Sequence, residues 1–83
     1  MEYSYIPKGV CSRKINIELD GDVIKKCEFI GGCAGNTTGI CALVKGMNVR
    51  DAISRLKGID CRGRGTSCPD QLSIALEKAL ENE

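Results

Sequence analysis

Six cysteines stand in a chain of 83 residues that contains no histidine. Two of them, Cys27 and Cys41, fall on stretches of regular hydrophobic periodicity, which predicts that they fill the core as small apolar side chains. The other four fall in turns or at the start of a helix: Cys11, Cys33, Cys61 and Cys68. Four thiolates of this kind could complete a tetrahedral zinc site or hold an iron–sulfur cluster.

The spacing of these four loop cysteines is C-x21-C-x27-C-x6-C, and it matches no short metal motif such as the paired C-x-x-C of zinc ribbons. Four free thiols without a ligand therefore stay open as an alternative, and thiol–disulfide chemistry using Cys61 and Cys68 is a third hypothesis. Arg62 and Arg64 follow Cys61 closely. Their guanidinium groups would offset the negative charge that four thiolates leave around a zinc ion. A solvated basic loop is the alternative interpretation of these arginines.

The stretch Thr66-Ser67-Cys68-Pro69-Asp70 places one of the cysteines at the start of a predicted helix. Pro69 suits the first helical position, because it lacks an N–H that would be unpaired there. This predicts Cys68 as the N-cap, with Ser67 as the other candidate. The positive end of a helix dipole favours a thiolate, which suits a metal ligand or a reactive sulfur. A buried capping cysteine without chemistry is the alternative.

Three strands are predicted to precede the helices. A short edge strand covers residues 3–6, and strict alternation of apolar and polar residues predicts a second strand over 14–19. The Asp20-Gly21-Asp22 turn then predicts a hairpin, with the return strand over residues 23–30. The return strand is expected to place three side chains on one face: Val23, Cys27 and Phe29.

Three helices are predicted after the sheet. The first covers residues 37–45 and ends at Gly46. The second is capped by Asn48 and ends at Gly58. The third begins at Pro69 and runs on through residues 71–80, with an apolar stripe at helical spacing. Together these elements predict an α+β fold, in which a small three-stranded antiparallel sheet is followed by three helices packed on it.

Composition favours one small domain, over residues 1–83, and excludes several classes of protein. A formal net charge of +1 argues against recruitment by nucleic acid or anionic lipid. No apolar run approaches transmembrane length, and the N-terminus lacks the pattern of a signal peptide. These features predict a cytoplasmic protein. Because disulfides are disfavoured there, metal binding or thiol chemistry explains the cysteines better than a disulfide framework.

The pentapeptide at residues 66–70 resembles the signature of the TSCPD domain family, which is named for it. Other parts of the chain also fit this family: Cys33 in its glycine-rich turn, Gly46, Ile59-Asp60-Cys61 and Asp70-Gln71-Leu72. The resemblance therefore covers nearly the whole chain. Such domains occur as small free-standing proteins and at the C-termini of some ribonucleotide reductases, notably the adenosylcobalamin-dependent class. The resemblance implies a metal site at the cysteines.

The same resemblance implies an accessory or interaction module related to ribonucleotide reduction and deoxyribonucleotide synthesis. Because this chain contains no radical-enzyme barrel, it is not expected to act as a reductase by itself. The implied partner is another protein, a ribonucleotide reductase subunit, and the expected contact residues are Arg62 and Arg64.

The order of elements also resembles the U-type iron–sulfur scaffold proteins, whose cluster-binding cysteines stand where Cys11, Cys33 and Cys68 stand here. Ser12-Arg13 replaces the Gly-Asp that follows the first cysteine of the scaffold. The scaffold's Leu-Pro-Pro-Val-Lys chaperone segment is absent, and the loop over 61–65 lies in that region. These departures favour closed, structural binding over cluster transfer. Zinc is therefore the first expected cofactor, and an iron–sulfur cluster in a scaffold or carrier is the alternative.

Overall fold

A computed structural model of the chain describes residues 2–10, 12–31, 34–59 and 66–81. The elements are β1 (Glu2–Tyr5), β2 (Lys14–Asp20), β3 (Val23–Ile30), α1 (Ala34–Val44), α2 (Val49–Leu56) and α3 (Cys68–Glu81). The predicted α+β class, with an antiparallel sheet followed by three helices, is confirmed. In these described ranges, no helix is both long and apolar enough to cross a membrane.

The sheet has the strand order β1-β2-β3, and both pairings are antiparallel. Alternation in β2 places Ile15, Ile17 and Leu19 in the core, as the sequence predicts. The opposite face of the sheet is polar, and there the Asn16 amide accepts a hydrogen bond from Ser4 and donates one to Glu28. One face of the sheet is therefore left for the helices to cover.

The face assignment predicted for β3 is wrong at its first residue. Ile17 pairs with Cys27, but Leu19 pairs with Ile24, so that two residues along β2 correspond to three along β3. The extra residue makes a β-bulge, and a shift of one residue exchanges the two faces of a strand. Ile24 is consequently buried, with 0% exposure, whereas Val23 is 42% exposed.

Helix α3 forms the centre of the fold. It packs against β1, β2 and α2, while α1 packs against β3. The apolar stripe predicted for α3 is confirmed by the complete burial of Leu72, Ala75, Leu76 and Ala79. The prediction of Asn48 as the cap of α2 is also confirmed, because its side chain accepts hydrogen bonds from two backbone N–H groups. Helix α3 begins at Cys68, one residue before the predicted first helical residue Pro69, and this places a thiol at its N-terminus.

Candidate functional site

The N-terminus of α3 is capped by Ser67 rather than by Cys68. Ser67 Oγ accepts a hydrogen bond from the backbone N–H of Asp70 at 3.1 Å, and the Ser67 carbonyl accepts one from Gln71 N–H at 2.8 Å. A hydroxyl oxygen is a much better acceptor than a sulfur, so the serine takes the capping position. Cys68 is the first helical residue, Pro69 is the second, and the Cys68 thiol is not used for capping.

The thiol of Cys68 lies beside the segment that carries Cys11. Its sulfur is 3.4 Å from Ser12 Oγ, and Ser12 is 4% exposed. Gly9 lies against the same region, because a Cβ added there would be 3.0 Å from Thr66 Cγ2. Residues on both sides of Cys11 therefore contact the Thr66–Cys68 stretch.

The segment that leads to Cys61 starts from the same end of α3. Ser67 Oγ donates a hydrogen bond of 2.6 Å to the carbonyl of Ile59, which lies two positions before Cys61. The Asp70 carboxylate accepts a hydrogen bond of 2.7 Å from the backbone N–H of Gly58. The residues that follow α2 are thus tied to the first turn of α3.

The segment that leads to Cys33 is tied to the residues that follow Cys11. The backbone N–H of Arg13 donates a hydrogen bond of 2.8 Å to the carbonyl of Ile30. Gly31 comes next, with φ +81°, and a Cβ added there would be 3.3 Å from Arg13 Nε. Only a glycine combines this backbone conformation with so close an approach at low cost. The turn at Gly31, two residues before Cys33, therefore lies beside Arg13, two residues after Cys11.

A buried glutamine, which the sequence analysis missed, joins the segment before Cys11 to Thr66. Gln71 is 5% exposed. Its Oε1 accepts hydrogen bonds from the Tyr5 hydroxyl at 3.2 Å and from Lys8 N–H at 3.0 Å, and its Nε2 donates to Thr66 Oγ1 at 2.8 Å. The signal for this role was its helical spacing, because a residue four positions before the buried Ala75 shares its face.

Comparison with known families identifies the chain. The family model described as the TSCPD domain matches residues 1–80. This chain belongs to the TSCPD domain family. No curated protein matches the chain, and no solved structure does. The five residues that spell the family name, 66–70, are the residues that cap α3 and hold the neighbouring segments of this TSCPD domain in place.

Of the four predicted metal ligands, Cys68 is described in the structure of the TSCPD domain. The remaining predicted site residues lie outside the described ranges: Cys11, Cys33, Cys61, Arg62 and Arg64. Within the part of the chain that the structure describes, no group of three or more histidine, cysteine, aspartate or glutamate side chains could hold a metal ion. Residues that flank Cys11 and Cys61 lie at the N-terminus of α3, and Gly31, two residues before Cys33, lies beside Arg13.

The two cysteines predicted to fill the core of the TSCPD domain have a different environment. Cys27 on β3 and Cys41 on α1 are each half-buried, and their sulfur atoms are 2.7 Å apart. Both line a cavity of about 300 Å³ on the side of the sheet where α1 packs. Cys27 packs against the core, as predicted, but together the two cysteines form a pair of thiols beside a cavity.

Proposed function

We propose that this TSCPD domain binds one metal ion, zinc in the first instance, through the thiolates of Cys11, Cys33, Cys61 and Cys68. The observation that carries the proposal is the contact of 3.4 Å between Ser12 Oγ and Cys68 Sγ. Consecutive Cα atoms are about 3.8 Å apart, so the backbone of Cys11 starts one residue from a side chain that touches the Cys68 thiol.

The donor set and its surroundings fit a structural zinc ion. The chain has no histidine, and thiolate sulfur is a preferred ligand of zinc. The Ser12 hydroxyl can donate a hydrogen bond to a Cys68 thiolate, as partners of ligating atoms commonly do. A complete set of four sulfur ligands leaves no open coordination position, so the ion would stabilise the fold instead of activating a substrate.

The proposed ligand segments are also held by other contacts near the residues that flank the cysteines. Gly9 lies close to Thr66 and Ile59 bonds Ser67, both at the N-terminus of α3, while Gly31, two residues before Cys33, lies beside Arg13, two residues after Cys11. A metal ion that joined these segments would add its binding free energy to the stability of the fold. Loss of the ion is therefore expected to loosen the N-terminus of α3 before the sheet.

Elemental analysis of protein purified without added metal tests this proposal, together with its visible spectrum. We expect one zinc ion per chain in a colourless protein, and loss of zinc and of stability in each of the variants Cys11→Ser, Cys33→Ser, Cys61→Ser and Cys68→Ser. The matched controls Cys27→Ser and Cys41→Ser should keep their zinc. Equal loss from all six variants, or a metal-free wild type with an intact fold, would contradict the proposal.

The same preparation distinguishes the alternative functions. A brown protein after anaerobic purification, with charge-transfer bands and cluster transfer to an apo-acceptor, would replace zinc with the scaffold or carrier function. Rapid thiol–disulfide exchange that is lost in Cys68→Ser would replace it with thiol-redox chemistry of Cys61 and Cys68.

For the wider role we propose an accessory or interaction module of ribonucleotide reduction that acts on a separate protein. The support is the resemblance to domains carried by reductases. Arg62 and Arg64 are the proposed contact residues, because arginines on a loop fixed by a metal lose little entropy on binding and pair well with carboxylates. Affinity capture with wild type and with an Arg62→Ala/Arg64→Ala variant tests this role. A reductase subunit bound by the wild type alone is the expected result, and recovery of only cysteine desulfurase and cluster chaperones would contradict it.

A further inference from the structure

The sulfur atoms of Cys27 and Cys41 are closer than two thiols need to be for packing. They are 2.7 Å apart, whereas a disulfide bond measures about 2.0 Å and two thiolates on one zinc ion lie about 3.8 Å apart. The separation is thus nearer to that of a covalent pair than to that of two metal ligands. The elements that carry them, β3 and α1, pack directly against each other.

This pair can be reached from outside the protein. Cys27 and Cys41 both line the cavity of about 300 Å³, together with Lys26, Glu28 and Thr38. Lys26, Glu28 and Thr38 are exposed, while the two cysteines are half-buried. A small molecule that enters this cavity therefore comes next to both cysteines.

We propose that Cys27 and Cys41 are a redox-active dithiol site that reacts with a low-molecular-weight disulfide of the glutathione type and closes a disulfide bond between β3 and α1. This site is separate from the proposed zinc ligands, and its chemistry does not depend on the zinc proposal. Sulfur–sulfur proximity and a cavity lined by both thiols are the two observations that carry it.

The reaction takes two steps that balance. The Cys41 thiolate attacks one sulfur of the small disulfide and expels its other half as a thiolate, which leaves a mixed disulfide on Cys41. Cys27 then loses its proton to water and attacks Cys41 Sγ, which expels the second half. The two protein thiols are oxidised by two electrons in total, and the small disulfide is reduced to two thiols.

The hydrogen bond within the pair decides which cysteine attacks. The bond to Cys41, with burial, raises the pKa of Cys27 well above its usual range. The hydrogen bond from Cys27 lowers the pKa of Cys41, against the opposing effects of burial and of the Glu28 carboxylate. Because the thiolate is the nucleophile, Cys41 attacks first and Cys27 resolves the mixed disulfide.

Peptide mapping of the purified full chain tests the proposal. Reduced protein is treated with oxidised glutathione and quenched with acid, and the free thiols are alkylated. Trypsin releases residues 27–45 as one peptide, which also contains Cys33. A second protease cleaves this peptide after Glu28, and the dipeptide Cys27-Glu28 then stays attached to residues 29–45 only if a disulfide links Cys27 to Cys33 or Cys41. Fragmentation in the mass spectrometer shows which of Cys33 and Cys41 is alkylated.

The expected product joins Cys27 to Cys41, with Cys33 alkylated, and the same product forms in a Cys33→Ser variant. In Cys27→Ser, a glutathione adduct should accumulate on Cys41, because no thiol remains to resolve it. In Cys41→Ser, several-fold less adduct should form on Cys27. A linkage that involves Cys33, or wild-type protein in which Cys27 and Cys41 stay reduced while other thiols react, would overturn the proposal. Both outcomes are read on wild-type protein and do not require a variant to fold.

Discussion

Within the residues that the structure describes, cysteine sulfur lies in two regions, and they differ in what holds it there. At the N-terminus of α3, Cys68 contacts the hydroxyl of Ser12, and the buried Gln71 bonds Tyr5 and Thr66 in the next turn of the same helix. Between β3 and α1, Cys27 and Cys41 contact each other beside a cavity. The first region is built from polar contacts between segments far apart in the chain, and the second from the packing of two neighbouring elements. We therefore expect substitutions in the first region to change stability and those in the second to change thiol reactivity.

Removal of the Gln71 side chain should have the largest effect on stability. Gln71→Ala leaves Lys8 N–H and the Tyr5 hydroxyl without this partner, removes the donor to Thr66 Oγ1, which keeps its bond to Asp70, and takes away a side chain that is only 5% exposed. We expect the free energy of unfolding to fall by about 3 kcal/mol, the upper part of the range for polar groups left unsatisfied. Urea denaturation followed by circular dichroism measures it. The control Ser54→Ala removes an exposed hydrogen bond on α2, and a similar cost in both variants would contradict the network.

A methyl group at Gly9 should have the next largest effect. Gly9→Ala forces a side chain into a backbone with φ +72° and brings its Cβ to 3.0 Å from Thr66 Cγ2. We expect a loss of about 2 kcal/mol, of which roughly half comes from the left-handed backbone. Gly21→Ala is the matched control, because Gly21 has φ +61° and nothing within 4 Å of the added atom. The difference between the two variants measures the contact with Thr66, and equal losses would show that this contact is unimportant.

Loss of the α3 cap should have a smaller effect. Ser67→Ala removes the acceptor for Asp70 N–H and the donor to the Ile59 carbonyl, and we expect a loss of about 1.5 kcal/mol. Asn48→Ala, at the exposed cap of α2, should lose about 1 kcal/mol. Thermal unfolding of the two variants compares them. If Asn48→Ala proves the more destabilising variant, the hydrogen bond from Ser67 to the Ile59 carbonyl adds little to the stability of the α3 cap.

The thiol pair should show its character in alkylation rates, with little change in stability. The hydrogen bond from Cys27 lowers the pKa of Cys41, while the bond to Cys41 and burial raise the pKa of Cys27. As the pH is increased, the alkylation rate of Cys41 should therefore rise before that of Cys27. Iodoacetamide labelling of the reduced protein across a pH series, read by mass spectrometry, measures this order. Alkylation of Cys27 at a lower pH than Cys41 would reverse the assigned roles.

Local patterns in the sequence predicted much of this fold. The alternation over 14–19 correctly placed Ile15, Ile17 and Leu19 in the core. Asn48 was correctly predicted as a cap, because a polar residue before an amphipathic helix has few other roles. Both features depend on neighbours within one or two turns of chain, which is the range over which sequence patterns act.

The errors occurred where two local preferences compete or where a contact is distant. The bulge that buries Ile24 instead of Val23 adds one residue to a strand and leaves no mark on the hydrophobic pattern. At the start of α3, the preference of Pro69 for the first helical position competed with the preference of Ser67 for the cap, and the cap prevailed.

The network of the candidate site depends on residues far apart in the sequence. Gln71 bonds Tyr5 and Lys8 across 66 and 63 positions, and no local rule could predict those partners. The grouping of Cys11, Cys33, Cys61 and Cys68 came from their residue type and loop setting, and it stays a prediction.

The central claim is that four cysteine sulfurs meet at the N-terminus of α3 and bind one zinc ion. X-ray absorption at the zinc edge of the purified wild-type protein tests it most directly, because the spectrum counts the ligands and identifies their elements. We predict four sulfur neighbours at about 2.3 Å and no nitrogen or oxygen in the first coordination sphere. A first sphere with oxygen or nitrogen ligands, or with fewer than four sulfurs, would contradict the account.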